Sequence, residues 1–397
     1  MAIPTVQYSF GIIDWKHSEL KKLDSKTRKI LTMHRMLHPK SDVDRIYLPR
    51  KEGGRGLIEI ETAFNVAIVG LNHYLENKST LSSNMIIMHE KTKPKYSISK
   101  IATNIEKEIE DLNFAPKPDK PTAENAKLLK QEIKKELVKK KNNRWRSKPL
   151  HGKYPSLIGE PHVDLPNTNN WLRSDIKGET EGLLIAAQDQ ALYTRNYQKH
   201  IVGKEIDSRC RMCYKQSETI DHITSGCEVL AKSDYIERHN KAAAYVHWNI
   251  CNDLGIKTSD KWYEHQPDTV TNTDTHTVLW DMAVHTDRHI GANRPDIIIK
   301  DKVNLTCKLI DMTVPCDRNV SIKEMEKKSR YKDLEIEIQR MWKMKTEVIP
   351  IVIGALGTIR KGMEDNIRSV SGNMNIQTVQ KTCLLGTARI LRKVLSI

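Results

Sequence analysis

A chain of 397 residues has room for roughly two or three ordinary domains, each with its own core. Lys and Arg total 65 against 50 Asp and Glu, giving a formal charge of +15 and a pI near 9.3; this favours a polyanionic partner over an acidic signalling role or a neutral metabolic enzyme. The longest near-apolar run, Val348 to Ile359, is broken by Pro350, Gly354 and Gly357, and a membrane span needs roughly 20 apolar residues, so none is expected.

Met1 to Phe10 lacks a charged region followed by an apolar stretch, so a secretory signal is not expected either. Ser18 to His34 is charged and amphipathic and predicts a helix, with Ser41-Asp42 and Pro49 marking the break after it. Leu48-Pro-Arg-Lys-Glu-Gly-Gly-Arg-Gly-Leu57 is turn-rich. No Gly-Lys-Ser/Thr follows its glycines, which favours an ordinary loop over a phosphate cradle. Ala63 to Leu75 resumes a helical pattern, and Pro116, Pro118 and Pro121 place a boundary beyond residue 115.

The strongest charge run follows. From Lys127 to Lys153 there are 11 Lys/Arg against Glu132 and Glu136, and Trp145 stands between Arg144 and Arg146. Leu128, Ile133, Leu137 and Val138 give the first half a helical stripe. A solvated helix face is the plain account of such a run. Its density, with an aromatic ring available to stack on a base, favours a salt-sensitive nucleic-acid contact through Lys139, Lys140, Lys141, Arg144, Trp145 and Arg146. Gly178 to Tyr197 predicts one helix, with Leu183, Leu184, Ala187, Ala191 and Leu192 as its core stripe.

The seven cysteines are an odd number, and three lie close to a histidine in the pattern Cys210-x2-Cys213-x8-His222-x4-Cys227. An intracellular chain with a metal site fits better than a disulfide scaffold. Two thiolates on a tight turn, completed by a distant His and Cys, form a closed tetrahedral shell suited to structural zinc. Cys251, Cys307, Cys316 and Cys383 stand alone and read as small apolar residues.

Arg294-Pro-Asp296 opens a second constellation. The two β-rich runs on either side of the polar turn Asp301 to Asn304 predict a hairpin. A turn centred between Lys302 and Val303 places Asp296 opposite Leu309, with Asp311 on the same face two residues on. Two carboxylates at that reach call for a cation between them, and hard oxygen ligands favour Mg²⁺. A helix follows, with Ser321 and Glu324 as a capping box and an inward stripe through Tyr331, Leu334, Ile338, Met341 and Trp342. Extending that stripe backward brings Lys327 inward with Arg330 beside it, and leaves Lys328 facing Glu324 and Glu335. Paired acids plus an inward ammonium suit metal-assisted phosphodiester cleavage. The bland alternative is a strand-starting Asp296, an Asp311–Arg330 pair and a snorkelling Lys327.

The glycine loop, Pro149-Leu-His-Gly-Lys-Tyr154, Lys177-Gly-Glu-Thr-Glu181, the cysteine–histidine spacing and Asn293-Arg-Pro-Asp296…Asp311 occur in one order. That order resembles the C-terminal half of polyproteins from non-LTR retrotransposons that carry a restriction-like endonuclease. The resemblance spans nearly the whole chain. It implies a multi-domain α/β protein: a mostly helical, reverse-transcriptase thumb-like region at 1–115, a basic linker and helical region at 116–200, a zinc knuckle at 201–250, and a PD-(D/E)xK nuclease at 260–397 with a central mixed sheet flanked by helices. It also implies Mg²⁺-dependent nicking of target DNA in the nucleus, with target DNA and element RNA as partners. Asp296 and Asp311 match the two catalytic acids. The family lysine, in a Lys-x-x-Lys-Tyr pattern, falls on Lys327-Lys-Ser-Arg330-Tyr331, where Arg replaces the second Lys. Position 313, often Lys in such nucleases, is Thr. Arg294, Arg330 and Tyr331 are then supporting residues. The chain contains no Tyr-x-Asp-Asp box, so reverse transcription by this polypeptide alone is not expected, and it looks like the back half of a longer product or a truncated copy. A catalytically inactive nucleic-acid-binding relic or domesticated protein is the alternative, and a zinc-dependent protein-interaction domain is a third reading.

Overall fold

The computed structural model describes residues 2–78, 80–93, 97–109 and 123–396. The prolines at 116, 118 and 121 lie outside them. The chain is α/β, with many helices and a single five-stranded mixed sheet. Its contacts gather into two compact units, residues 1–152 and 153–397, so that the segment 116–200 is divided between them. Among the described residues no helix is long and apolar enough to cross a membrane.

Unit 1 is helical. Its core forms where α1 (His17–Met33), α2 (Ile60–Asn77), α3 (Ile98–Ile109) and α4 (Ala123–Ser147) meet. Ile60, Phe64 and Ile68 recur at helical spacing on α2 and pack with Leu20, Ile98, Ala102, Ile105 and Ile133. Asp24 of α1 accepts from the backbone N–H of Ile60 at 2.9 Å and of Glu61 at 3.3 Å, satisfying donors that the start of α2 cannot pair internally. The glycine loop is an ordinary loop: the N–H groups of Gly53, Gly54 and Gly56 are spent on Arg50, Pro49 and Leu48. A Cβ on Gly54 would lie 2.1 Å from the Leu48 carbonyl oxygen, and Gly53 and Gly56 have φ of 87° and 72°.

The basic run corrects the sequence reading in part. Trp145 is fully buried, with the equally buried Arg45 guanidinium 4.9 Å from its ring centroid, so it has no face to offer a base. Lys141 is spent on Glu59 at 2.6 Å and Thr62 at 2.8 Å. Arg144 forks onto Asp44, and Lys148 reaches Asp42 at 2.5 Å and Asp44 at 2.9 Å. These partners come from a distant part of the sequence, which is why the local pattern could not show them. Lys139 and Lys140 remain exposed, as do Lys134 and Lys135, while Arg146 is half-buried with its Nε on Asn142.

Burial works against charge on Asp42, but hydrogen bonds from His151 and Lys148 win and bring its carboxyl down to about 2. A carboxyl lowered by folding contributes stability that is present above its unfolded value, 3.8, and is lost as pH falls towards 2. Hydrogen exchange over residues 42–57 should therefore accelerate between those two values. Asp42→Asn should remove part of that dependence and roughly 1–2 kcal/mol of local stability near pH 6. An identical acid profile in the variant would rule out this account.

Unit 2 is built on the sheet β1 (Val270–Asn272), β2 (His276–Trp280), β3 (Ile297–Asp301), β4 (Thr306–Thr313) and β5 (Lys345–Val352), in that spatial order. The first four strands pair antiparallel. β5 joins β4 in parallel after a crossover through α5 (Val320–Arg330) and α6 (Lys332–Trp342). Both faces are covered, so the central strands are apolar on both sides. Ile297, Ile299, Ile310 and Met312 face a core that includes Ala242, Val246 and Ile250 of the Asp234–Asp253 helix. Ile298, Cys307 and Leu309 face Tyr331, Leu334 and Ile338. The segment 178–197 is not one helix: it stops at Gln188, Gln190 takes a φ of 56°, and Thr194 caps a new helix from Arg195.

Candidate active site and metal centre

The β3–β4 register sets the acids. Ile297 lies across from Ile310, so one further step of the ladder puts Asp296 across from Asp311 rather than Leu309. The four-residue turn lies one residue further along than the sequence reading placed it, at 302–305. Asp301 Oδ1 accepts from the N–H of Val303 at 3.0 Å and of Asn304 at 2.9 Å, and Leu305 takes a φ of 52°. The slip is two residues, so side-chain alternation survives and both carboxylates stay on the face covered by α5 and α6.

Asp311 is only 3% exposed. Its Oδ1 accepts from the Tyr331 hydroxyl at 2.7 Å, and Lys327 Nζ lies 2.5 Å from its Oδ2, in an ion pair off the hydrogen-bonding direction. Burial pushes the Asp311 carboxyl above its ordinary range and the Asp296 charge adds to this, while Lys327 and Tyr331 pull it down. Burial and then the Asp311 charge raise the Tyr331 hydroxyl, which therefore keeps its proton and donates. Lys328 sits on the outer face, 53% exposed and 3.5 Å from Glu324.

Three details differ from the sequence reading. α5 begins at Val320, so Ser321 lies inside the first turn and forms no capping box; Glu324 instead takes Arg360 at 2.6 Å. The predicted single helix breaks at Tyr331, between α5 and α6, which turns that hydroxyl towards Asp311. Arg330 is exposed rather than inward, with its guanidinium 5.8 Å from the Tyr331 ring centroid, and Arg294 forks onto Asp281 with both contacts at 2.8 Å.

One residue went unseen in the sequence. His239 Nε2 lies 3.0 Å from Asp296 Oδ2 and 3.1 Å from the Met312 carbonyl oxygen, which marks that nitrogen as a donor. The Met312 N–H also donates to Asp296 Oδ2, at 2.6 Å. Burial opposes charge on His239, but the hydrogen bond to Asp296 and its charge raise the imidazole to about 9. A histidine far upstream on an amphipathic helix gives no local signal of this contact. Asp296 Oδ1 is left without a protein donor among the described residues, and Asp311 Oδ2 is a buried oxygen with no aligned hydrogen bond.

The cysteine–histidine group assembles as its spacing predicts. The ligand atoms of Cys210, Cys213, His222 and Cys227 all lie within 4.8 Å of one another and can hold a metal ion such as zinc. Cys213 Sγ is 3.3 Å from His222 Nε2, and Cys210 Sγ is 3.9 Å from Cys227 Sγ. The turn closes through Cys210 N–H on Gln216 O and Tyr214 N–H on Cys210 O, both at 2.8 Å. His222 Nδ1 lies 3.2 Å from Gln216 Oε1, which fixes the ring with Nε2 towards the thiols. Burial pushes the Cys210 thiol up to about 11, so a dication is what would favour its thiolate.

The Asp234–Asp253 helix joins the two groups. Tyr235 Oη contacts the carbonyls of His222 and Ile223 at 3.0 and 2.8 Å, Arg238 donates to Thr224 O at 2.8 Å and Val314 O at 3.2 Å, and His239 reaches Asp296. A cleft of about 520 Å³ lies between the knuckle and the chain leaving β4; Thr219, Asp221, Thr313, Arg318 and Lys323 are among its lining residues, and neither acid lines it. Comparison with known protein families and with curated proteins finds no match.

Cys213→Ser should release zinc and unfold residues 208–227, because structural zinc supplies folding free energy there. Metal analysis showing the same zinc content at Cys210, Cys227 and His222 in the variant would remove Cys213 from the shell.

Proposed function

We propose that the chain is a fragment of a retrotransposon polyprotein in which unit 2 is a restriction-like, Mg²⁺-dependent endonuclease that nicks target DNA. The observation carrying this reading is the trio Asp296, Asp311 and Lys327 at the end of one ladder, with Lys327 Nζ 2.5 Å from Asp311. Asp296 and Asp311 are the residues that would hold Mg²⁺, which would supply Lewis acidity towards the scissile phosphate and a water of lowered pKa. His239 and the Met312 N–H hold Asp296 Oδ2, aiming Oδ1 outward. Tyr331 holds Asp311 Oδ1, and Lys327, paired with Asp311 Oδ2, is placed to offset charge that develops on the phosphate. Thr313, two residues past Asp311, opens onto the cleft, where Arg318 is paired with Asp221 at 2.6 Å and Lys323 with Glu326. The exposed lysines of unit 1 add sequence-independent affinity for target DNA and element RNA, the setting for which is the nucleus.

Asp296→Ala and Asp311→Ala should abolish Mg²⁺-dependent nicking of supercoiled plasmid while leaving DNA binding intact. Lys327→Ala should slow it by ~10² or more, and Lys328→Ala should be nearly silent. A plasmid left closed by the wild-type chain, with DNA still bound, would turn the reading to a binding-only relic. Loss of activity in Lys328→Ala but not Lys327→Ala would exclude the lysine role.

Neutralising Lys134, Lys135, Lys139 and Lys140 to Gln should flatten the dependence of log K on log salt by roughly 0.7–0.9 for each lost phosphate contact. Lys141→Gln should instead destabilise unit 1, since it breaks the Glu59 pair. An unchanged slope in the quadruple variant would return this face to plain solvation.

A further inference from the structure

The opening of the Asp234–Asp253 helix carries Tyr235, Arg238 and His239, at spacings of three and four residues that share one face. Tyr235 ends on the knuckle. Its Oη accepts from the Cys227 N–H at 3.1 Å and lies 3.0 and 2.8 Å from the carbonyl oxygens of His222 and Ile223. One hydroxyl therefore clasps the backbone of two of the four candidate zinc ligands. Arg238 spans the gap, donating to Thr224 O on the knuckle side and to Val314 O, three residues past Asp311, on the strand side. His239 completes the face on Asp296 Oδ2 and Met312 O.

We propose that Tyr235, Arg238 and His239 are positioning residues that couple the two centres. Zinc in the knuckle fixes this part of the helix, which fixes Asp296 and so raises the affinity of the Asp296–Asp311 pair for a divalent cation. The effect on affinity rests on reading those acids as Mg²⁺ ligands.

The coupling follows from what the knuckle holds in place. Residues 222–226 form one irregular turn, and the metal shell supplies the order that keeps the carbonyls of His222, Ile223 and Thr224 in position as acceptors. Arg238 is the residue most sensitive to their loss. It is 3% exposed, has no carboxylate partner among the described residues, and spends its hydrogen bonds on Thr224 O, Thr387 Oγ1 and Val314 O. A buried charged donor deprived of an acceptor is costly, so the side chain has to adjust. Its stem has little room: a Cβ on Gly386 would lie 2.5 Å from Arg238 Cγ, because the C-terminal helix passes that close. The adjustment falls on the helix turn itself, and His239 is the next residue.

Asp296 depends on that turn. His239 and the Met312 N–H, at 2.6 Å, hold Oδ2, and Oδ1 has no protein donor among the described residues, so these two contacts set where Oδ1 points. A carboxylate already oriented loses less freedom when it takes a cation. Zinc release leaves the His239 side chain in the protein, so order changes more than charge, and affinity falls.

The test is hydrogen exchange at the Met312 amide of the full chain, zinc-loaded and after treatment with a zinc-selective chelator. Zinc release should speed Met312 exchange by roughly 5-fold or more, the lower end for coupled sites, with Leu309 and Ile310 on the same strand unchanged. Tyr235→Phe alters no charge and keeps all four ligands. It should show the same increase with zinc bound, which protects the test if zinc release unfolds unit 2. His239→Ala should exchange fast at Met312 from the start and lose most of its response to zinc. Mn²⁺ affinity, counted as the binding that Asp311→Asn removes, should fall by a similar factor in the zinc-free chain and in Tyr235→Phe. Met312 exchange that is the same in the wild-type chain and in zinc-loaded Tyr235→Phe would overturn the coupling. Mn²⁺ bound equally by both would overturn the effect on affinity and leave the cation site standing. No Mn²⁺ bound by the zinc-loaded wild-type chain would instead sink the Mg²⁺ reading, and Met312 exchange would then decide the coupling by itself.

Discussion

Burying one carboxylate beside a second, half-buried one at the end of adjoining strands is the constraint around which unit 2 is arranged. A carboxylate removed from water costs several kcal/mol unless it is paired and hydrogen-bonded. Asp311 is almost wholly enclosed, with Asp296 across the ladder, and each element nearby contributes something that offsets this. α5 gives the Lys327 ammonium, the break before α6 gives the Tyr331 hydroxyl, and the Asp234–Asp253 helix gives His239. Tyr331, at the junction of α5 and α6, places its hydroxyl 2.7 Å from Asp311 Oδ1 as part of this arrangement. A protein that used these strands only as a scaffold would gain more from apolar residues at 296 and 311, which is the physical reason for reading the pair as a site.

The Asp234–Asp253 helix is the second organising part. Within a few residues it supplies Tyr235 and Arg238 to the knuckle backbone, and His239 to Asp296. Its next two turns place Ala242 and Val246 in the sheet core. Arg238 also reaches Thr387 at 3.0 Å, tying the C-terminal helix to the same point. The knuckle is therefore fastened to a helix that also touches the acidic pair. Zinc bound there stabilises more than its own hairpin, because the carbonyls of His222, Ile223 and Thr224 are the acceptors for that helix.

Much of this was legible in the sequence where the pattern was local. The Cys-x2-Cys pair shares one turn, so its spacing reports its geometry directly. The strand alternation fixed the common face of Asp296 and Asp311 even though the register was two residues off, because a slip of two preserves parity. The 3.6-residue period separated Lys327 from Lys328 correctly. Contacts between distant segments did not show. His239 meets Asp296 only through packing of a helix on a sheet. The hairpin register was set by an Asp301 side chain bonding its own turn, and the helix from Gly178 was ended by the left-handed conformation at Gln190, an effect that apolar spacing does not register.

The basic run separates two uses of charge that a sequence window merges. Lys141, Arg144 and Lys148 meet Glu59, Asp44 and Asp42, which lie far upstream, so their positive charge is neutralised close at hand and Trp145 is enclosed among them. These residues build unit 1. Pairing leaves the net charge of +15 unaltered, because those acids were already counted in it. The case for a polyanionic partner therefore survives at the scale of the chain's overall field, while the specific stacking contact does not. What remains at the surface of the helix is a set of exposed lysines, point charges on flexible stems that attract a phosphate backbone without reading its sequence. On the proposed nuclease reading, selectivity for a target would have to come from elsewhere, and the groups anchored around Asp296 and Asp311 are held by Tyr331, Lys327 and His239.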